Sequence, residues 1–175
     1  CSASRADRRS GSGPSAQKIR PHVCDTSAML MVVIAAAFLV VVTGFLHYEV
    51  LRGLNTHLPG LAVPDRFKLL VVIATAFFTH ALEILLYGMA VYLLVAHVGA
   101  GELAGASGSL FSASLYFSAE TYTSLGFGDV TPTGPVRLLA GVEALNGLLL
   151  IGWTASFTYI SMERFWNTKG NAGDR

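Results

Sequence analysis

The sequence predicts an all-α integral membrane protein with three transmembrane helices and a short re-entrant segment between the second and third. Three observations predict it. Of 175 residues, 53% are hydrophobic and only 13% charged, whereas a soluble domain carries roughly 25% charge. Three long stretches are nearly free of charge. A thirteen-residue apolar segment, too short to cross a bilayer, is followed by a glycine-punctuated run.

Twelve Lys and Arg against eleven Asp and Glu leave a net charge of +1, and five of the basic residues lie in the first twenty positions. The rest of the chain has no basic surface for nucleic acid. Cys1 and Cys24 both lie in the polar N-terminal stretch, so they form neither a disulfide framework nor a C-x-x-C knuckle.

Residues 1–27 read as a disordered polar leader. It opens on Cys, and Met29 or Met31 would start a natural first helix, so the leader is expected to be foreign to the membrane domain. Residues 28–46 (AMLMVVIAAAFLVVVTGFL) are nineteen positions without a charge, enough to cross about 28 Å of hydrocarbon at 1.5 Å per residue. We assign 28–48 to a peripheral transmembrane helix. The second helix runs from Leu69 to about Val98 and is interrupted by His80 and Glu83, so it tilts or extends past the bilayer. Residues 99–109 (GAGELAGASGS) read as an exposed loop. Leu110 to Tyr122 has no helix breaker and reads as a re-entrant or buried half-helix. The third span, residues 136–162, carries Glu143 and Asn146 and ends in Tyr159, Arg164, Phe165 and Trp166, a cluster suited to the membrane interface. Residues 167–175 form a short tail.

Arg52, Arg66 and Lys68 in the first loop, with Arg164, Lys169 and Arg175 at the end, place that loop and the C-terminus in the cytoplasm by the positive-inside rule. The N-terminus is then outside, and the half-helix enters from outside. The basic residues of the leader oppose this orientation.

The string from Tyr116 to Asp129, YFSAETYTSLGFGD, resembles the pore loop of the potassium-channel superfamily, whose usual filter reads T-V-G-Y-G-D behind an aromatic-rich pore helix. The resemblance extends over residues 67–166 and is specific in these fourteen. It implies a prokaryotic two-transmembrane-type channel with an extra N-terminal helix. In that reading 67–166 is the pore domain, 110–122 the pore helix, 124–128 the selectivity filter and 136–162 the inner helix. Thr123, Ser124, Leu125, Gly126, Phe127 and Gly128 line the ion path, with K+ at Ser124, Leu125, Gly126 and Phe127.

Elementary chemistry supports the resemblance. A permeating ion exchanges its hydration shell for oxygen ligands, and four chains can present successive carbonyls at close range. Backbone of alternating handedness turns those carbonyls toward one axis, and Gly126 and Gly128 supply the positive φ that residues with a Cβ resist. The C-terminal end of the pore helix favours a cation by a few tenths to ~1 kcal/mol. Ser124 stands for the usual Thr and keeps an oxygen ligand. Leu125 stands for Val, and Phe127 stands for Tyr, which removes a phenolic hydroxyl. A Gly-Phe-Gly filter still occurs among potassium channels, so potassium is favoured over sodium.

Glu120 and Asp129 match the family's two carboxylates behind the filter and are expected to share a proton and brace it. Gly147 falls at the family's hinge glycine, and Gly152 offers a second flexible point. His80 with Glu83, and Glu143 with Asn146, lie three apart on their helices. A charge at mid-bilayer costs about 2.5–3.5 kcal/mol, so both pairs should face protein and meet in an intramembrane polar clamp.

One pore loop per chain implies a homotetramer in a lipid bilayer, here the plasma membrane. No cofactor is implied beyond the permeant K+. The first helix wraps the periphery or recruits an unknown regulatory subunit. Other readings are a non-selective cation channel and a non-conducting channel-like subunit. A distant one is an intramembrane serine protease, because residues 105–108 read G-A-S-G; the histidine base would have to follow Ser107, yet the last histidine is His97. H-E-x-x-H is absent, and three helices without an inverted repeat argue against a transporter.

Overall fold

The computed structural model describes residues 26–60, 62 and 64–170. The leader before residue 26 and the last five residues of the expected tail lie outside the described residues. The elements are α1 (Thr26–His57), a 3-10 turn (Leu58–Gly60), α2 (Asp65–Leu93), a π turn (Leu94–Val98), β1 (Leu103–Ala104), α3 (Leu110–Tyr122), β2 (Thr131–Pro132) and α4 (Val136–Gly170). Three stretches, Thr26–Gly60, Phe67–Val98 and Val136–Arg164, are long and apolar enough to cross a membrane.

Helix α1 buries Ala28, Val32, Ala36, Leu39, Thr43, His47 and Leu51, an i+3/i+4 stripe on one face. The opposite face exposes Ile34, Phe38, Val41 and Phe45, as expected where the solvent is lipid. The helix is nine residues longer at its C-terminal end than the expected 28–48 and packs mainly on α4. It adds Val32, Ala36 and Leu39 to the buried core.

Helix α3 starts where Ser109 caps it, the side-chain hydroxyl accepting from the Ser112 N–H at 3.2 Å; such a cap is worth about 1 kcal/mol. It packs mainly against α2, then against α4. The approach to α2 is close at Gly88, where a Cβ would come within 2.8 Å of Leu115 Cδ2 and 3.1 Å of its Cα. A small residue there lets the helices touch, as in membrane bundles generally. Val32, Leu39, Tyr87, Val91, Phe117, Tyr122, Val136 and Leu139 from all four helices join in one core.

The segment 99–109 is largely the exposed loop expected, with a short pairing at its centre. It pairs with the chain beyond α3 as an antiparallel ribbon, Leu103 opposite Pro132 and Ala104 opposite Thr131. Leu103 is buried, and Thr133 N–H donates to Glu102 O at 2.8 Å. The glycines in this segment permit the approach of backbone to backbone: a Cβ on Gly105 would lie 2.0 Å from Asp129 O.

Candidate functional site

The site begins at the C-terminus of α3. Ser124 N–H donates to Thr121 O at 3.0 Å, and Leu125 N–H donates to Glu120 O at 2.9 Å. With Thr123 as the C-cap, these are the paired 5→2 and 6→1 bonds of a Schellman motif, which requires a left-handed residue just past the cap. Ser124 fills that place at φ 56°, the one non-glycine with positive φ among the described residues. Gly126 (φ 55°) and Gly128 (φ 78°) follow in the same region. Positive φ therefore occurs at every second residue from 124 to 128, and the intervening Leu125 and Phe127 stay on the ordinary side. Successive carbonyls in such a chain turn in a common direction.

The seven residues 123–129 are all exposed, between the buried Tyr122 and Val130. Leu125 is 59% and Phe127 68% exposed. Behind the loop, Glu120 is buried and its Oε1 accepts the Phe127 N–H at 3.1 Å. Asp129 accepts from the Tyr116 hydroxyl at 3.1 and 3.3 Å and from the Val130 N–H at 3.1 Å. Both carboxylates thus hold the downstream half of the loop, Glu120 at the Phe127 N–H and Asp129 at the junction with Val130. Thr123 Oγ1 is turned back to Ala119 O at 2.7 Å.

The polar residues of the spans also find partners other than those expected. His80 Nδ1 and His47 Nδ1 each lie 3.0 Å from an oxygen of Glu83, and the Tyr122 hydroxyl donates to Glu83. Glu143 accepts from Ser118 on α3, while Asn146 Nδ2 donates to Thr43 Oγ1 at 2.9 Å. The two i,i+3 pairs therefore do not close on each other. Helix α1 supplies Thr43 and His47, and α3 supplies Ser118 and Tyr122, so each pair is served by an intervening helix. Desolvated polar groups left without such partners would cost about 1–3 kcal/mol each.

Thr43, His47, Ser118 and Tyr122 were not singled out from the sequence. The signal for the first two lay in the i+4 row Leu39, Thr43, His47, Leu51, which places the polar pair on the buried stripe. Gly147 and Gly152 lie inside the continuous helix α4. A Cβ on Gly147 would stand 2.2 Å from Tyr122 O, and one on Gly152 would meet nothing within 4 Å. Gly147 is thus a contact point between α4 and the end of α3, and Gly152 sits in open space.

A family model described as an ion channel matches residues 69–164, more than half of the chain. Protein LctB of Bacillus caldotenax is 50% identical over 42 residues, which are 24% of this chain and 31% of that protein. The match therefore spans less than a third of that relative's length. No solved structure matches the chain. From α2 through α4, the chain belongs to the two-transmembrane ion-channel family of the potassium-channel superfamily.

Proposed function

We propose that this ion channel conducts K+ passively through a filter formed by residues 124–128 of four identical chains. The observation that carries the reading is the alternation of positive φ at Ser124, Gly126 and Gly128. A second support is the exposure of Leu125 and Phe127, apolar side chains that a single chain leaves uncovered and three neighbours would bury. The resident ion is the cargo, and the Ser124, Leu125, Gly126 and Phe127 carbonyls, with the Ser124 hydroxyl, replace its water. Residues 110–122 re-enter from the outer face of the plasma membrane. The N-terminus is outside and the C-terminus in the cytoplasm.

The test is rubidium and potassium flux into liposomes holding the purified protein, with sodium as competitor and barium as blocker. Flux of rubidium that excess sodium leaves intact and barium stops is the expected result. Equal sodium flux would move the chain to the non-selective reading, which the absent Tyr hydroxyl at Phe127 favours. No flux at all would support a non-conducting subunit. Cross-linking or mass in detergent should give four chains, and a stable monomer overturns the assembly.

A further inference from the structure

The cluster around Glu83 joins all four helices, and two histidines face the one carboxylate. His47 Nδ1 lies 3.0 Å from Glu83 Oε1, and His80 Nδ1 lies 3.0 Å from Oε2. The other nitrogen of each ring, Nε2, lies 3.0 Å from the same Thr154 Oγ1. Four contacts at hydrogen-bond distance need four protons. Two neutral imidazoles and the Thr154 hydroxyl supply three, so with Glu83 as the carboxylate and no further proton, two lone pairs oppose each other at one contact.

We infer that His47, His80 and Glu83 form a binding site for a divalent transition-metal cation of the zinc type. The ligand atoms of the three residues all lie within 4.8 Å of one another, and two imidazoles with a carboxylate are a donor set that suits zinc. The Tyr122 hydroxyl, 2.9 Å from His80 Nδ1 and bonded to Glu83, stands at the fourth position. Ligand atoms ~2.0–2.1 Å from a tetrahedral zinc are separated by about 3.3 Å, so the 2.9–3.0 Å contacts have to open by a few tenths of an ångström and the wider edges, all within 4.8 Å, to draw in around the ion.

The outer shell is already in place. With the metal on both Nδ1 atoms, each ring carries its proton on Nε2, and Thr154 Oγ1 accepts both with its two lone pairs. That is the arrangement by which second-shell acceptors fix the tautomer of metal-bound histidine. The +2 charge offsets the Glu83 carboxylate, which is fully buried, and the opposed lone pairs disappear. His80 is 18% exposed, and Trp153, whose ring centroid is 5.5 Å from that of His47, also lines a cleft of about 340 Å³ between α1 and α4.

The experiment uses the full chain in detergent, free of any affinity tag, titrated with Zn2+ against a chromophoric chelator and, separately, with Co2+. One metal per chain and intense visible Co2+ bands of tetrahedral type are expected. His47→Gln and Glu83→Gln should abolish both, while the exposed pair His57→Gln with His97→Gln should keep them. Thr154→Val leaves every ligand in place and should weaken binding about 10- to 100-fold. Its readout stands even where the ligand variants fail to fold. Absence of metal binding by the unmodified chain overturns the inference. A pale, octahedral Co2+ spectrum, or binding that survives Thr154→Val undiminished, overturns it too. None of these readouts depends on ion flux.

Discussion

Removing the Glu120 carboxylate tests whether the loop after α3 is held from behind. Glu120 Oε1 is the acceptor of the Phe127 N–H at 3.1 Å, and the residue is 4% exposed. A hydrogen bond to a charged group contributes about 1.5–3 kcal/mol. At about 1.4 kcal/mol per tenfold, Glu120→Ala should raise exchange of the Phe127 amide by about 10- to 150-fold. Glu120→Gln keeps a carbonyl acceptor of the same reach and loses only the charge. Since neutral bonds are roughly half as strong, it should fall between, at about 3- to 12-fold. The assay is amide hydrogen exchange with single-residue resolution, referenced to the Leu139 amide in the α4 core so that global opening is divided out. Equal protection of Phe127 in the unmodified and Ala chains would refute the bracing role. If both variants exchanged equally fast, the contribution of charge would be refuted while the contact stood.

Gly147→Ala drives a methyl to within 2.2 Å of Tyr122 O and should destabilise by about 1–3 kcal/mol or more, whereas Gly152→Ala meets open space and should stabilise by about 0.5–1 kcal/mol; thermal denaturation in detergent separates them. Ser114 is fully buried with an unpartnered hydroxyl, so Ser114→Ala should raise stability, by about 1 kcal/mol. Tyr122→Phe removes the hydroxyl that donates to Glu83 and should cost about 1–3 kcal/mol in the same assay. Ser124→Gly relieves the left-handed strain at φ 56° and should stabilise the cap by about 1 kcal/mol. Measured as rubidium flux, its loss of the hydroxyl should lower selectivity over sodium.

The spans were legible because lipid imposes a simple rule on composition: length and absence of charge are enough. Both ends of α3 were legible as well. Gly-rich chain precedes Leu110, and no breaker falls before Tyr122. The way α3 ends was not, because the left-handed position past its cap holds Ser124 where glycine would have announced it. The bonding of the polar residues was harder still. An i,i+3 pair such as His80 and Glu83 can be read from spacing, but its partner depends on which helix lies alongside, and that is a property of packing. The same limit hid His47, which sits near the end of the first apolar run and whose value comes from reaching Glu83 thirty-six residues away. The short pairing in segment 99–109 was hidden for another reason. Composition alone marks it as loose, whereas its glycines serve a ribbon against Thr131 and Pro132.

Thr43 and His47 tie the leading helix to Asn146 on α4 and to Glu83 on α2. An excised fragment beginning near residue 65 would keep His80 and Tyr122 on Glu83 but lose His47 from it and Thr43 from Asn146. The boundary drawn by the matched family region is therefore not a boundary of physical autonomy. Transplanting or trimming this molecule has to respect a unit that begins by Ala28, where the buried row on its opening helix starts.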